Sequence, residues 1–205
     1  MIYELRSYQL HPGGVPSYLD FFEQAGLPII SRYAELVGYF RTETGLLNCV
    51  VHLWRYRDRM HRSVQRAALL ADSAWQTVFL PRAMSLLVDQ NSIIMDPAEF
   101  SPDPLAPGAE GRRAVFELEF KWAAASQLGA VLSRECDRQA SVNPRRIGIW
   151  TAESGRQGRV IDLYGFADEA DRSHHLAAWR DQAPPPPDVR IERHTLIPTR
   201  FSPLQ

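Results

Sequence analysis

Cysteine is nearly missing from this sequence. The 205 residues hold two, Cys49 and Cys136. A disulfide framework in a small domain takes more than that. The fold must therefore rest on packing, with two free thiols in a reducing compartment. No stretch approaches the roughly 20 apolar residues of a membrane helix. No basic head followed by an apolar run precedes the strand-like opening Met1-Ile2-Tyr3-Glu4-Leu5. A secretory signal needs one, so a cytoplasmic location is expected. Neither sign of charge prevails: Lys and Arg number 23, Asp and Glu 24, and the pI is about 6.6. A nucleic-acid surface would need a basic stripe. Neither nucleic acid nor membrane is expected as a partner.

Signatures of metal and cofactor chemistry are also missing. There is no CxxC, HExxH, GxGxxG or phosphate loop, and no serine-centred nucleophile elbow. His174 and His175 are neighbours on an expected helix, so they diverge and cannot chelate one ion. His11, His61 and His194 stand alone. No metal and no cofactor are expected. One route stays open, a haem held by a single histidine, His52 or His194.

What is present is an ordinary globular balance, 45% hydrophobic and 23% charged. Alternation and β-formers place strands over 2–10, 36–42, 48–56 and 86–95. Between them, helical spacing runs from Val15 through Leu19, Phe22 and Leu27. A second helix follows Asp58, its expected N-cap, to about Ala71. A further helical stretch holds Trp75, Phe79 and Leu80. Pro and Gly then mark a linker over 103–112. Beyond it come strands over 114–120, 146–151, 159–166 and 189–197, helices over 124–138 and 168–180, and a stiff connector over 184–187. The order is βαββαβ twice, the split βαβ arrangement. The expected units are 1–102 and 113–205.

A shift of 110 residues lays Gly38-Tyr39-Phe40-Arg41-Thr42-Glu43-Thr44-Gly45 over Gly148-Ile149-Trp150-Thr151-Ala152-Glu153-Ser154-Gly155. Asp58 then meets Asp168, Arg62-Ser63 meets Arg172-Ser173, and Ala67-Ala68 meets Ala177-Ala178. Agreement that preserves the strand, turn, strand and cap order reads as an internal repeat. One such unit covers only one face of its sheet with helices, and the bare face needs a partner. Two units on one chain can supply it to each other. The expected fold class is therefore α+β: two tandem ferredoxin-like units forming an intramolecular dimeric α+β barrel. Paired barrels commonly associate further, so a homo-oligomer is an expected partner state.

The first half resembles the NIPSNAP family. The resemblance rests on Ile2-Tyr3-Glu4-Leu5-Arg6-Ser7-Tyr8, on Gly45 with Asn48, and on Val51-His52-Leu53-Trp54-Arg55-Tyr56. Arg62, Arg66-Ala67-Ala68 and Asp72-Ser73-Ala74-Trp75 continue it. It implies the dimeric α+β barrel and no settled activity. Barrels of this kind include small-molecule monooxygenases and haem-degrading proteins, a likeness of fold alone. Animal members are associated with mitochondria, and no Arg- and Ser-rich transit segment matches here. The second half keeps only the framework: Asn48, His52 and Trp54 become Gly158, Asp162 and Tyr164.

Strand parity puts Asn48, Val50, His52, Trp54 and Tyr56 on one face, and Cys49, Val51, Leu53 and Arg55 on the other. The first set suits a barrel lumen that binds a small, partly aromatic molecule; equally, such rings fill cores. His52 is the candidate acid or base, with Arg6 as anion clamp. Glu4 shares a face with Arg6 on the neighbouring first strand. Asn48, Trp54, Tyr39, Glu4, Tyr56 and Arg62 complete the expected ligand-binding set. A buried Glu4–Arg6 pair reads as well as structure. Arg62 and Arg66 share a helix face and would hold a ligand anion or pair with acids such as Glu43. The expected function is a small-molecule-binding barrel, with cofactor-independent oxygenase or isomerase activity as its enzymatic form. The alternative is a non-enzymatic interaction or structural module. Sequence alone leaves open whether the chain is an enzyme.

Overall fold

The computed structural model describes residues 1–106, 113–138, 145–152, 158–178 and 188–205, and the backbone of 179–182. Most of the expected linker, the connector over 184–187 and the matched Glu153-Ser154-Gly155 lie outside the described residues.

β1 (Ile2–Leu10) leads through a turn to α1 (Gly14–Phe21). A π-helical turn, Phe22–Gly26, carries α1 into α2 (Leu27–Ile30). β2 (Glu35–Thr42) and β3 (Cys49–Tyr56) follow. α3 (Arg59–Ala71) starts where expected, because the Asp58 carboxylate accepts from the His61 backbone N–H. A second π turn, Trp75–Phe79, leads into α4 (Leu80–Leu86) and β4 (Leu87–Pro97). The second half runs β5 (Val115–Trp122), α5 (Leu128–Asp137), β6 (Arg146–Ala152), β7 (Arg159–Phe166), α6 (Glu169–Gln182) and β8 (Arg190–Pro198).

Each half forms a four-stranded antiparallel sheet, ordered β4-β1-β3-β2 and β8-β5-β7-β6. The two close into one eight-stranded barrel through β2 with β8 and β4 with β6. Closure leaves no sheet edge open. This is the expected intramolecular barrel, and it gives each sheet an inner face on the lumen and an outer face under helices.

The lumen is lined by the opposite set of β3 side chains from the one expected. Cys49, Val51 and Leu53 pack inward with Tyr3, Leu5, Phe40, Phe116, Trp150 and Leu163. Val50, Trp54 and Tyr56 pack outward with Tyr18, Phe22, Tyr39, Leu69 and Phe79 under the helices. Parity held, and the side was reversed. The reason is room. Two small sheets curled on each other leave a narrow interior that the inward side chains fill, and the void at its centre is only about 10 Å³, room for one water at most. Tyr3, Phe40, Phe116 and Trp150 already occupy that interior, so the Trp54 and Tyr56 rings pack between sheet and helices. Asn48 departs further from expectation. It sits in the turn before β3 with a positive φ of 54°, and its carbonyl accepts from Leu10 N. Asn48 is therefore a turn residue and not part of a strand face.

Candidate functional site

Register builds the site on the outer face of the first sheet. β1 and β3 pair so that Arg6 lies opposite His52 and Glu4 opposite Trp54. β2 brings Tyr39 opposite His52 from the other side. The expected convergence of carboxylate, guanidinium and imidazole on one surface is what the register produces, outside the lumen.

His52 is 2% exposed. Its ring stacks parallel to Tyr39, with centroids 4.7 Å apart. Tyr8 meets it edge-on, also at 4.7 Å. The Trp54 indole N–H donates to His52 Nδ1 at 2.5 Å. Indole nitrogen only donates, so Nδ1 is the acceptor and the neutral ring carries its proton on Nε2. That N–H is buried and has no hydrogen-bond partner among the described residues. Burial pushes the imidazole pKa well below its usual value, and the Arg6 charge adds to the effect. His52 is therefore neutral at pH 7, with one nitrogen occupied. The acid–base role expected of it does not suit this geometry; the role of a fixed neutral donor does.

The charged part is a closed network. Glu4, fully buried, accepts from Arg6 at 2.8 Å, from Arg62 at 2.7 and 3.0 Å, and from Ser92 at 2.7 Å. Burial alone would raise its pKa. The hydrogen bonds from Arg62 and Ser92 outweigh that and hold it at about 2. Arg62 is thus the partner of Glu4, while Glu43 pairs with Arg41 instead. Arg6 also donates to the Tyr8 hydroxyl at 2.9 Å and to Gln90 at 3.3 Å. Arg66 bears electrostatically on both His52 and Tyr56. Tyr56 itself packs toward His61, at 6.1 Å, and is not against the imidazole. Tyr39 and Tyr18 face each other at 3.5 Å, and burial raises both phenols.

Of the expected residues, His52, Trp54 and Tyr39 meet directly, and Glu4, Arg6 and Arg62 form the network beside them. Tyr56 and Asn48 are not in the group. Tyr8, Tyr18 and Ser92 were missed. Tyr8 shares the parity of Arg6, a signal that could have found it; Tyr18 and Ser92 arrive by tertiary packing and leave no local mark.

The equivalent face of the second sheet is also charged, and there every charge is paired at close range. Lys121, 3% exposed, contacts Asp162 at 2.6 Å, Glu119 at 2.7 Å and Glu135 at 3.2 Å. Arg146 contacts Asp162 at 2.9 Å, the Tyr164 hydroxyl at 2.9 Å, and Glu135. The alternation Glu117, Glu119, Lys121 put three charges on one strand face, which was a readable sign of such a network.

The comparisons with known proteins fit this architecture. The NIPSNAP family model matches residues 3–102. NipSnap homolog 3B of Homo sapiens is 33% identical over 219 residues, spanning 99% of this chain and 85% of that protein. The chain belongs to the NIPSNAP family. The human relative aligns across both halves, so membership extends through the second sheet. Two solved structures match the NIPSNAP chain as a whole. One is an anthrone oxidase-like protein, with TM-score 0.63 at 12% identity, covering 98% of this chain and 92% of that one. The other is a putative monooxygenase from Lactobacillus acidophilus, with TM-score 0.62 at 12% identity, covering 100% and 98%. At that identity they establish the dimeric α+β barrel fold and no more.

Proposed function

We propose that this NIPSNAP protein is a small-molecule-binding barrel whose site lies around His52, between the first sheet and its helices. The carrying observation is the His52 Nε2–H, a buried donor without an acceptor among the described residues. Such a group costs about 1–3 kcal/mol, and folded proteins keep few of them. A ligand oxygen would satisfy it.

The neighbours set the class of ligand. Tyr39 and Tyr8 pack directly on the imidazole, so a ligand that displaces one of these rings and takes its place would be planar. Arg6 and Arg66 favour negative charge on the bound oxygen, as in a phenolate or enolate. No side chain of the group is suited to remove a proton. Glu4 is held ionised and saturated with donors, the Tyr18 and Tyr39 phenols are raised, and His52 Nδ1 is occupied. The substrate must therefore ionise readily by itself, as an acidic phenol or ketone does. Holding such an anion away from water is compatible with cofactor-independent oxygenase or isomerase chemistry. The two structural neighbours are named as an anthrone oxidase-like protein and a putative monooxygenase, names that fit an oxidation of such a molecule. Of the rings touching His52, only Tyr8 is partly exposed, so its movement would admit the ligand. Cys136 is an exposed free thiol, in keeping with a reducing, cytoplasmic location.

The test is binding of anthrone and 1-naphthol, followed by tryptophan fluorescence, with His52→Phe and His52→Gln. Phenylalanine keeps the ring stack and removes the donor; glutamine keeps a donor. Binding should weaken at least about tenfold, about 1.4 kcal/mol, in His52→Phe and hold in His52→Gln. Equal binding by wild type and His52→Phe would remove His52 from the site.

A further inference from the structure

A cavity of about 220 Å³ opens at the end of the barrel that carries the β2–β3 turn. It lies on the lumen side of β3, across the sheet from His52. Its floor is apolar, with Leu5, Val51 and Leu118, and Cys49 beside them. The Cys49 thiol is pushed up to about 11 by burial, so it behaves as a small neutral group.

The origin of the space is visible in the two halves. Positions that correspond in the repeat face each other across this end and differ in size. Ser7 and Cys49 in the first half stand where the second has Phe120 and Arg159; Asn91 and Ile93 stand where it has Glu192 and His194. One wall is small and neutral, the other large, aromatic and charged. With large side chains on both walls the end would close as the centre does.

The large wall carries the polar chemistry. The Trp122 indole N–H is buried with no partner among the described residues. The Arg159 guanidinium lies over the rings of Trp122 at 5.5 Å and Phe120 at 5.8 Å, which fixes it at the rim. The Glu192 carboxylate is engaged with His194 Nε2 at 2.8 Å and with Arg190 at 3.4 Å, so it is not a bare repelling charge. Gly45, with φ +87°, allows this His194 to approach: a Cβ there would lie 2.5 Å from Nδ1.

We infer that this end of the barrel is a second binding site, for a small carboxylate with an apolar body. The body lies on Leu5, Val51 and Leu118, and the carboxylate accepts from Trp122 Nε1 and Arg159. The volume falls below the roughly 300 Å³ of drug-sized pockets, which selects short aliphatic or single-ring acids. The site is independent of His52 and of the planar anion proposed there.

The test is titration of the full chain with hexanoate, benzoate and hexanol, reading the Trp122 indole 15N–1H resonance and calorimetric affinity. Saturable binding of hexanoate or benzoate with a shift of that resonance is expected. Hexanol should bind more weakly, by at least about tenfold. Arg159→Gln should cost the acids about tenfold or more and leave hexanol unchanged, with Arg159→Lys restoring part of the loss. Ser7→Phe, which copies the second half's side chain, should abolish binding of all three. Circular dichroism and unfolding midpoints confirm that each variant folds; where Ser7→Phe does not, Trp122→Phe replaces it and should weaken the acids alone. Failure of wild type to bind either acid at millimolar concentration overturns the inference. So does an Arg159→Gln variant that binds hexanoate and hexanol as wild type does. Either result leaves the His52 reading untouched, because its probes and variants are different.

Discussion

Where β3 carries His52, β7 carries Asp162, and the side chains around each differ to match. Arg6 and Tyr39 flank His52 in register; Glu119 and Ile149 flank Asp162. The position of Tyr8 is taken by Lys121 and that of Trp54 by Tyr164. In the second half the result is a buried lattice of opposite charges in which Lys121 keeps its proton. Burial opposes the charge, but the Asp162 and glutamate carboxylates more than compensate. In the first half the charges close on Glu4, and one uncharged donor is left over. The same backbone thus gives one face that is chemically complete and one that is not. Folded proteins keep few buried donors of this kind, and the proposed ligand site rests on this one.

The strongest way to break the contrast is to move a residue across it. Asp162→His removes the anion between Lys121 and Arg146 and leaves both cations short of a partner. Breaking a buried ion pair costs about 3–5 kcal/mol, read from urea unfolding. A loss under about 1 kcal/mol would mean that the second face is not sealed by charge.

Acid titration separates Glu4 from its counterpart Glu117. The folded-state pKa of Glu4 is about 2, below its unfolded value near 4.5. Its contribution is complete above pH 4.5 and is lost as pH falls toward 2. Integrated, it amounts to about 3 kcal/mol. Burial instead pushes Glu117 up. Glu4→Gln should therefore flatten the acid limb of stability against pH, and Glu117→Gln should not. Equal flattening by both would erase the difference between the halves.

A smaller effect is expected of Trp54→Phe, which removes the hydrogen bond to His52 Nδ1. The cost is about 1 kcal/mol by thermal or chemical unfolding. Smallest of all is Arg41→Gln. Both partners of the Arg41–Glu43 pair are about half exposed, so a change within about 0.5 kcal/mol is expected. A larger one would show that surface pairs matter to the barrel seam.

The sequence made some of this legible for physical reasons. Alternation of period two grouped Glu4 with Arg6 and Tyr8, and His52 with Trp54, because side chains on a strand have only two sides to choose from. It could not say which side was inside. That depends on how tightly two sheets curl, a property of the closed barrel and of no single strand. Polarity misled as well: the mixed aromatic face of β3 suggested a lumen, while β3 gives the lumen Cys49, Val51 and Leu53. Asn48 looked like a strand residue until the turn demanded a positive φ. Arg62 found Glu4, 58 positions away, and not the nearer Glu43, because α3 lies across the sheet on which Glu4 stands.

The most direct test is the state of one imidazole. Long-range 15N–1H spectra of histidine-labelled protein report the tautomer and charge of His52. Full neutrality at pH 7 and well below the usual histidine range is predicted, with the proton on Nε2 and a shift of that nitrogen when a phenolic ligand binds. A charged ring at neutral pH, or a proton on Nδ1, would contradict the account.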